Sequence, residues 1–446
     1  AGYSQAGTQD KLDQALQASG PRTCKAINAL WGKCSECPHF EKIKSPVSIV
    51  DKEVISTEAT GFYNLSTDNN GKVTRSPNYD DLRAAYLRDT KFFNDPYLER
   101  TYNWVGTHYE IATHSHLNAW CETVMDPSPL RNTVSEFRAK ILRNELRSNQ
   151  ELEHFFFETT KGKLNLSNGT LDIVKNELYP HEQTNGFRYV LPYGFDATQK
   201  APIFEKFLDQ VTLSRDDLKK TLLEFIGYCL WPSYDDHCFL WLSGSGRNGK
   251  STFLELLQVL FGEVNCSNVA IENFDNPNHL QMLDNKLVNV GEESEANKIT
   301  SDMMGPLKAL SSGARVQVDQ KYEVPYSMRS RAKLVFAANK PPTLPGSETA
   351  IKSRMIVVPF DYELEEHSET EVKSRVDWAL LEKMKEELPG ILNLALVALR
   401  DFVRRTPRKI YRSEITHAAM NEFVRDSDPV ERWIQDYIQI LPDPRA

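Results

Sequence analysis

A glycine-rich segment at residues 244–252 has the residue types and spacing of a phosphate-binding loop. Its sequence is GSGRNGKST, and it lies between the apolar run FLWL at 239–242 and the run FLELLQVLF at 253–261. A strand, a glycine-rich turn ending in Lys-Ser and a helix place backbone N–H groups and a helix N-terminus around a polyphosphate. The pattern predicts an ATP-binding loop; the alternative is an ordinary glycine turn before a helix.

Each part of this loop has a predicted role. Gly244, Gly246 and Gly249 allow the turn and a close approach of the backbone to phosphate oxygens. Lys250 reaches the β and γ phosphates, and Ser251 holds Mg²⁺. The other predicted nucleotide-binding positions are Ser245, Asn248 and Thr252.

Glu292 and Glu293 follow a second apolar run, KLVNVG at 286–291. Carboxylates at the carboxyl end of a parallel strand lie at the ligand-binding edge of the sheet. We expect Glu292 to assist Mg²⁺ and Glu293 to polarise the attacking water. The reverse order of roles stays open, and the alternative is an exposed acidic turn.

Two further polar side chains flank later apolar runs. Asn339 follows KLVFAA at 333–338, where an amide can sense the γ-phosphate or orient the lytic water. Arg354 precedes MIVVPF at 355–360, from where it can reach a γ-phosphate held by a neighbouring subunit. A surface arginine is the alternative for Arg354.

Within residues 313–324, apolar and polar residues alternate, which predicts a hairpin. Lys321 and Tyr322 would lie at its tip. A cation beside an aromatic ring is suited to gripping a nucleic-acid backbone. A surface hairpin with a solvated lysine is the alternative.

Three of the seven cysteines cluster near the beginning of the sequence. Cys24, Cys34, Cys37 and His39 supply the four ligands of a structural zinc site. Reduced structural thiols or an iron–sulfur cluster are the alternatives. The other four cysteines have apolar neighbours and are expected to be small buried side chains in reduced protein.

The composition is that of a globular protein, with 446 residues, 40% hydrophobic residues and a net charge of −9. No apolar run approaches the roughly 20 residues of a membrane span, and no signal-peptide pattern is present. We therefore expect a cytoplasmic protein without a membrane partner, in the host cytoplasm if it is viral. The net charge does not exclude DNA, because a local basic channel can exist in an acidic chain.

The sequence divides into four predicted domains. They are a cysteine-rich module at 1–45, a collar at 46–200, an ATPase domain at 201–400 and a C-terminal tail at 401–446. Within them we expect helices over 80–147, a β-rich region over 162–200 and a helical stretch over 202–230. Aromatic residues are dense between 92 and 120 and are interpreted as core rather than as a base-stacking surface. The beginning without methionine indicates a fragment of a longer protein.

Taken in order, GSGRNGKST, VNVGEE, VDQKY, FAANKPP and SRMIVVPF resemble the motifs of superfamily 3 helicases, the ring ATPases of small DNA viruses, phages and plasmids. The preceding NLSNGTLDI region is similar to the collar of poxvirus and phage primase-helicases. The resemblance covers roughly residues 80–400. The cysteine cluster resembles the tail of a primase-polymerase, so the chain looks like the C-terminal helicase part of a phage primase-polymerase.

This resemblance implies an α/β fold with an AAA+-like P-loop core of three α/β/α layers, preceded by a mainly helical collar. It implies a homohexameric ring on single-stranded DNA that works with other replication proteins. Lys250, Ser251, Glu292, Glu293 and Asn339 would act in cis and Arg354 in trans, with Lys321 lining the pore. The tail resembles the start of a winged helix, and no primer synthesis is expected from this chain alone.

We therefore predict an ATP-dependent DNA helicase of DNA replication, with ATP, Mg²⁺ and possible Zn²⁺ as its cofactors. The first alternative is a DNA-binding initiator or loader whose ATPase acts as an assembly switch without processive unwinding. A second alternative is a regulatory nucleotide switch. Stimulation of ATP hydrolysis by DNA separates a translocase from the switch, and a comparison of binding to single- and double-stranded DNA separates it from the loader.

Overall fold

The computed structural model describes much of the chain between residues 62 and 427. The described residues are 62–69, 71–125, 129, 131–143, 145–291, 299–319, 325–339, 342, 349–362 and 379–427. The chain divides into two compact units, one made of residues 1–91 and 112–144 and the other of 92–111 and 145–446. Within the described ranges, no helix is long and apolar enough to cross a membrane.

The described part of the first unit contains a hairpin and three helices. The hairpin pairs β1 (Tyr63–Thr67) with β2 (Val73–Pro77). The helices are α1 (Tyr79–Asp89), α2 (His114–Val124) and α3 (Thr133–Ile141). They pack through aromatic rings, because Trp120 contacts Tyr86 edge-on at 4.9 Å and stacks on Phe137 at 5.4 Å.

The helical prediction for 80–147 is wrong over residues 92–111. These residues form an antiparallel sheet of β3 (Phe92–Asp95), β4 (Arg100–Trp104) and β5 (Tyr109–Ile111), which belongs to the second unit. Phe93, Tyr102 and Tyr109 are at most 5% exposed, which supports the core interpretation for these three. They pack on the π-helical turn His154–Glu158 that continues helix α4 (Asn149–Glu153). Aromatic residues favour strands because they pack well on a pleated surface.

The next region is β-rich and then helical, as predicted. Strands β6 (Lys163–Leu166), β7 (Gly169–Asp172) and β8 (Glu177–Tyr179) form an antiparallel sheet. The helical stretch 202–230 is divided into α5 (Pro202–Val211) and α6 (Asp216–Leu230). The break occurs at Leu213 and Ser214, whose φ values of 54° and 59° are incompatible with a continuing right-handed helix.

A five-stranded parallel sheet lies at the centre of the second unit. Its strands are β9 (Phe239–Ser243), β10 (Cys266–Ser267), β11 (Val288–Gly291), β14 (Lys333–Ala338) and β15 (Met355–Pro359). Their order is β10-β11-β14-β9-β15, and all four pairings are parallel. The strand that precedes the glycine-rich loop is therefore internal, between β14 and β15.

Apolar clusters cover both faces of this sheet. Leu240 and Leu242 of β9 belong to one cluster, whereas Phe239 and Trp241 belong to the other, as alternation along a strand requires. Helices α5, α6, α7 (Lys250–Phe261) and α12 (Leu388–Arg404) contribute to the first cluster, with α11 (Leu380–Lys385). Helices α9 (Ser301–Ser311) and α13 (Glu414–Ser427) contribute to the second. The prediction of a mixed α/β fold is confirmed.

The remaining described elements are short. Helices α8 (Pro277–Leu280) and α10 (Thr349–Lys352) have one turn each. Strands β12 (Val316–Val318) and β13 (Tyr326–Met328) pair antiparallel, so a hairpin is present as predicted, with its second strand beyond the predicted range of 313–324. The hairpin tip with Lys321 and Tyr322 lies outside the described residues.

Candidate functional site

The glycine-rich loop joins the carboxyl end of β9 to the amino end of α7. Gly246, Arg247 and Gly249 have positive φ values of 104°, 52° and 91°, which turn the chain over the start of the helix. A Cβ at Gly249 would lie 2.7 Å from Val211 Cγ1, so a larger residue does not fit there. Since α7 begins at Lys250, its first backbone N–H groups are available at this loop. This arrangement attracts an anion.

The Lys250 side chain is held inside the loop and is only 2% exposed. Its Nζ donates to the Gly244 carbonyl oxygen at 2.9 Å, to Asn248 Oδ1 at 3.0 Å and to Asn339 Oδ1 at 3.0 Å. A lysine ammonium has three N–H donors. These three hydrogen bonds fix the ammonium where the loop meets the end of β14.

Asn248 connects the loop to the last strand of the sheet. Its side chain is buried, and Nδ2 donates to the Phe360 carbonyl oxygen at 2.7 Å. A Cβ at Gly244 would lie 2.0 Å from Asn248 Nδ2 and 2.6 Å from that carbonyl oxygen. Gly244 is therefore required because the Asn248 amide packs directly against it.

The strand register explains why Asn339 meets Lys250. Ser243, the last residue of β9, lies opposite both Ala338 of β14 and Pro359 of β15. The residues that follow these strands leave from one edge of the sheet. This carboxyl edge is where ligands bind in open parallel α/β sheets.

The structure describes some of the remaining predicted site residues and not others. In the part of the loop and helix that the structure describes, Ser245 and Ser251 are exposed and Thr252 is partly buried. Gly291, which ends β11, lies opposite Phe336 of β14. The residues with predicted roles outside the described ranges are Glu292, Glu293, Lys321, Tyr322, Cys24, Cys34, Cys37 and His39.

Arg354 lies at the amino ends of the parallel strands, whereas the loop lies at their carboxyl ends. Its carbonyl oxygen accepts a hydrogen bond from the N–H of Phe239, the first residue of β9. The five residues of β9 separate this point from Gly244, a distance on the order of 15 Å. The structure therefore does not bring Arg354 to the loop of its own chain.

Sequence reasoning missed a buried lysine at the start of β14. Lys333 is 1% exposed, and its Nζ donates to the Ser233 carbonyl oxygen at 3.0 Å. The same Nζ lies 3.6 Å from the ring centroid of Tyr234 and 4.6 Å from that of Tyr228. Burial lowers the pKa of Lys333 to about 7. A lysine before an apolar run looks like a strand flank, so the sequence carries no signal for this environment.

Sequence reasoning also missed the ionic contacts at the base of the β12–β13 hairpin. Arg329 Nη1 lies 2.8 Å from Glu153 Oε1, and Arg315 contacts the other oxygen of the same carboxylate. Arg100 bonds the Tyr326 hydroxyl at 3.1 Å and Asp284 at 2.7 Å. These contacts tie both strands of the hairpin to other elements of the second unit.

The four cysteines with apolar neighbours are buried free thiols, as predicted. Burial raises the pKa of Cys121 to about 11 and that of Cys266 to about 12, and it also raises the pKa of Cys229 and Cys238. Raised thiol pKa values make these side chains poor nucleophiles at neutral pH. Among the described residues, no group of three or more His, Cys, Asp or Glu side chains is arranged to hold a metal ion.

Two family models match separate segments of the chain. Residues 82–213 match the family described as "D5 N terminal like". Residues 242–354 match the family described as "Family of unknown function (DUF5906)". The second segment contains the whole glycine-rich loop and extends to Arg354.

Curated relatives share limited identity with the chain. It is 22% identical over 236 residues to "Putative helicase L207/L206" of Acanthamoeba polyphaga mimivirus, which covers 50% of this chain and 24% of the relative. It is 32% identical over 76 residues to "Uncharacterized mitochondrial protein ymf21" of Marchantia polymorpha, which covers 17% of this chain and 42% of the relative. The chain thus matches less than half the length of either protein. The first of these matches relates it to a viral protein named as a putative helicase.

Solved structures that match the chain include "The A form apo structure of NrS-1 C terminal region-CTR", with a TM-score of 0.45 and 14% identity. That likeness covers 81% of this chain and 82% of the other. A second structure of the same region, residues 305–718, has a TM-score of 0.46 and 13% identity, and covers 81% and 83% of the two chains.

Proposed function

We propose that this chain is the ATP-hydrolysing motor of a DNA helicase that acts in viral, and specifically phage, replication. The observation that carries the proposal is the buried Lys250 ammonium, held in a glycine-rich loop at a helix N-terminus and 3.0 Å from Asn339 Oδ1. A cation beside backbone N–H groups and a neutral amide suits the γ-phosphate of a nucleoside triphosphate.

The strand order supports an AAA+-like P-loop core of the superfamily 3 type. The loop strand β9 lies between β15 and β14, and β14 leads to Asn339. The next strand, β11, ends at Gly291, directly before Glu292 and Glu293 in the sequence. Strands β11 and β14 are neighbours in the sheet. In the sequence, the proposed polarising carboxylate comes after the first of them and the proposed sensor amide after the second.

In the proposed reaction, water attacks the γ-phosphorus in line and the bond to the β-γ bridging oxygen breaks, giving ADP and phosphate. Lys250 stabilises negative charge on the β and γ phosphates, and Asn339 orients the water. Glu293 polarises that water. Mg²⁺, held by Ser251 and Glu292, supplies further neutralisation of phosphate charge when bound.

The position of Arg354 supports a site shared between subunits. It lies on the order of 15 Å from the loop of its own chain, so it would stabilise charge on a nucleotide held by the next copy. A ring of copies, with six as the expected number, would then enclose single-stranded DNA, which Lys321 and Tyr322 would grip. The match to a D5 N terminal-like segment and the similarity to a viral protein named as a helicase are compatible with this assembly.

The first test replaces Lys250 with alanine and measures ATP turnover. We expect turnover to be abolished, since the charge that the loop holds against the phosphates is lost. Lys206→Ala is the matched control, because Lys206 is exposed on α5. Turnover of Lys250→Ala close to that of the control would refute the site.

The second test asks whether the site serves a DNA motor in a ring. We expect single-stranded DNA to stimulate turnover, and Lys321→Ala to remove the stimulation while leaving basal turnover. Arg354→Ala should lose turnover and recover part of it when mixed with Lys250→Ala, because mixed rings contain interfaces with both wild-type residues. DNA binding without stimulation, or no recovery at any mixing ratio, would contradict the translocating ring and favour a loader or an assembly switch.

A further inference from the structure

One carboxylate contacts both ends of the β12–β13 hairpin at its base. Glu153 is the last residue of α4; its Oε1 lies 2.8 Å from Arg329 Nη1, and its Oε2 contacts Arg315. Arg315 directly precedes β12, and Arg329 directly follows β13. Arg315 Nη1 also donates to the carbonyl oxygen of Ser327 in β13 at 3.3 Å. Glu153 therefore holds the two ends of the hairpin against each other and against α4.

Two tyrosines add further contacts at the same base. The Tyr326 hydroxyl accepts a hydrogen bond from Arg100 Nη2 of β4 at 3.1 Å. The Tyr234 hydroxyl donates to the Ser330 carbonyl oxygen at 3.0 Å. A Cβ on Gly313 would lie 2.2 Å from Tyr234 Cδ2, so the tyrosine ring packs directly on the chain before β12. The position of the hairpin is therefore set by side chains outside it as well as by the pairing of its own strands.

The contacts of Glu153 and Arg100 join two segments that match different families. Both residues lie within 82–213, whereas the hairpin lies within 242–354. The side chains of Glu153, Arg315 and Arg329 are between 30% and 46% exposed, and ion pairs as exposed as these contribute little to stability. Charge-assisted hydrogen bonds nevertheless have a defined geometry. The main effect of Glu153 is therefore on where the hairpin stands.

We infer that Glu153 is a positioning residue for DNA binding, which sets where the hairpin presents Lys321 and Tyr322 to the strand. Through it, the segment before the ATPase sheet determines how tightly the hairpin holds DNA. The inference rests on the proposed function, because it takes single-stranded DNA as the partner of the hairpin tip. Lys321 and Tyr322 come between β12 and β13 in the sequence. A shift of the base moves them away from the phosphates, and their attraction weakens with distance.

The test replaces Glu153 with alanine and follows DNA. Binding of a labelled oligothymidylate is measured by fluorescence anisotropy, and ATP turnover is measured as the same DNA is added. Glu153→Ala should raise the DNA dissociation constant and the half-stimulating DNA concentration by at least about threefold. Glu382→Ala is the matched control, because it removes a carboxylate that pairs with Lys385 at 2.6 Å within α11. Turnover without DNA is the internal reference, since a general loss of structure would lower it in the same proportion.

A combined variant shows whether Glu153 acts through the hairpin tip. On the background of Lys321→Ala with Tyr322→Ala, the further change Glu153→Ala should have no additional effect on DNA binding. Additive losses, or a DNA dissociation constant of Glu153→Ala equal to that of the control, would overturn the inference while stimulation of the wild type by DNA upholds the proposed function. A wild type whose turnover DNA does not stimulate would refute the proposed function, and the inference with it.

Glu153→Gln is the test variant if Glu153→Ala does not fold, because glutamine keeps the length of the side chain and removes its charge. Its thermal melt should be close to that of wild type, and its DNA dissociation constant should rise in the same direction. An unchanged DNA dissociation constant in the folded Glu153→Gln protein would overturn the inference.

Discussion

Replacing Lys333 with methionine should change how the stability of this protein depends on pH. Lys333 starts β14, is 1% exposed and has a carbonyl oxygen and two tyrosine rings around its amine. Burial is the largest cause of its lowered pKa, about 7, compared with the ordinary value of 10.5. The charged form is therefore less favourable in the folded protein than in the unfolded chain.

The sign follows from the protons bound in each state. Between pH 6 and 8 the unfolded chain keeps Lys333 protonated, whereas the folded protein loses that proton as the pH rises through about 7. Stability therefore rises with pH. From pKa values of about 7 and 10.5, the increase between pH 6 and 8 is about 1.4 kcal/mol. The tyrosine faces favour the cation, so the measured increase should not exceed this figure.

The assay is urea unfolding at pH 6 and pH 8 for wild type, Lys333→Met and Lys206→Met. Methionine keeps the length of the side chain and removes the titrating group, so Lys333→Met should lack the increase of about 1.4 kcal/mol that wild type and the exposed control both show. Ionisable groups that the three proteins share contribute equally to each and cancel in the comparison. The same rise in Lys333→Met as in wild type would refute the titration of this amine.

Three further predictions concern the loop, the hairpin and the cysteine cluster. Gly244→Ala should lower ATP turnover by at least about tenfold, because its Cβ would displace the Asn248 amide; unchanged turnover would show that the loop tolerates the shift. Glu153→Gln should lower the free energy of unfolding by less than about 1 kcal/mol, since the carboxylate and its arginines are partly exposed, and a larger loss in urea unfolding would indicate a deeper structural role. The zinc prediction is tested by mass spectrometry, which should find about one zinc ion per chain in the purified wild-type protein. The double variant Cys34→Ser/Cys37→Ser should lack this zinc. Equal zinc content in the wild type and the double variant would exclude these ligands.

Several elements followed from local patterns. The strand before the loop, the helix after it and the strands at 333–338 and 355–359 lie where the apolar runs predict them. These runs are buried on both faces, which makes them continuous and easy to recognise. The helical prediction for residues 92–111 was wrong. The spacing of aromatic residues alone does not distinguish a helix from a short sheet whose aromatic side chains pack into one core.

The sequence by itself identified the loop as a candidate phosphate site, since the glycine, lysine and serine of this pattern are close along the chain. Only the tertiary structure decided what holds the lysine in place. Asn339 is 89 residues from Lys250, and Phe360 is 112 residues from Asn248. The parallel register of β9, β14 and β15 brings these distant residues to one edge of the sheet. The same register places Arg354 at the opposite end of the strands, because Arg354 precedes β15 whereas the loop follows β9.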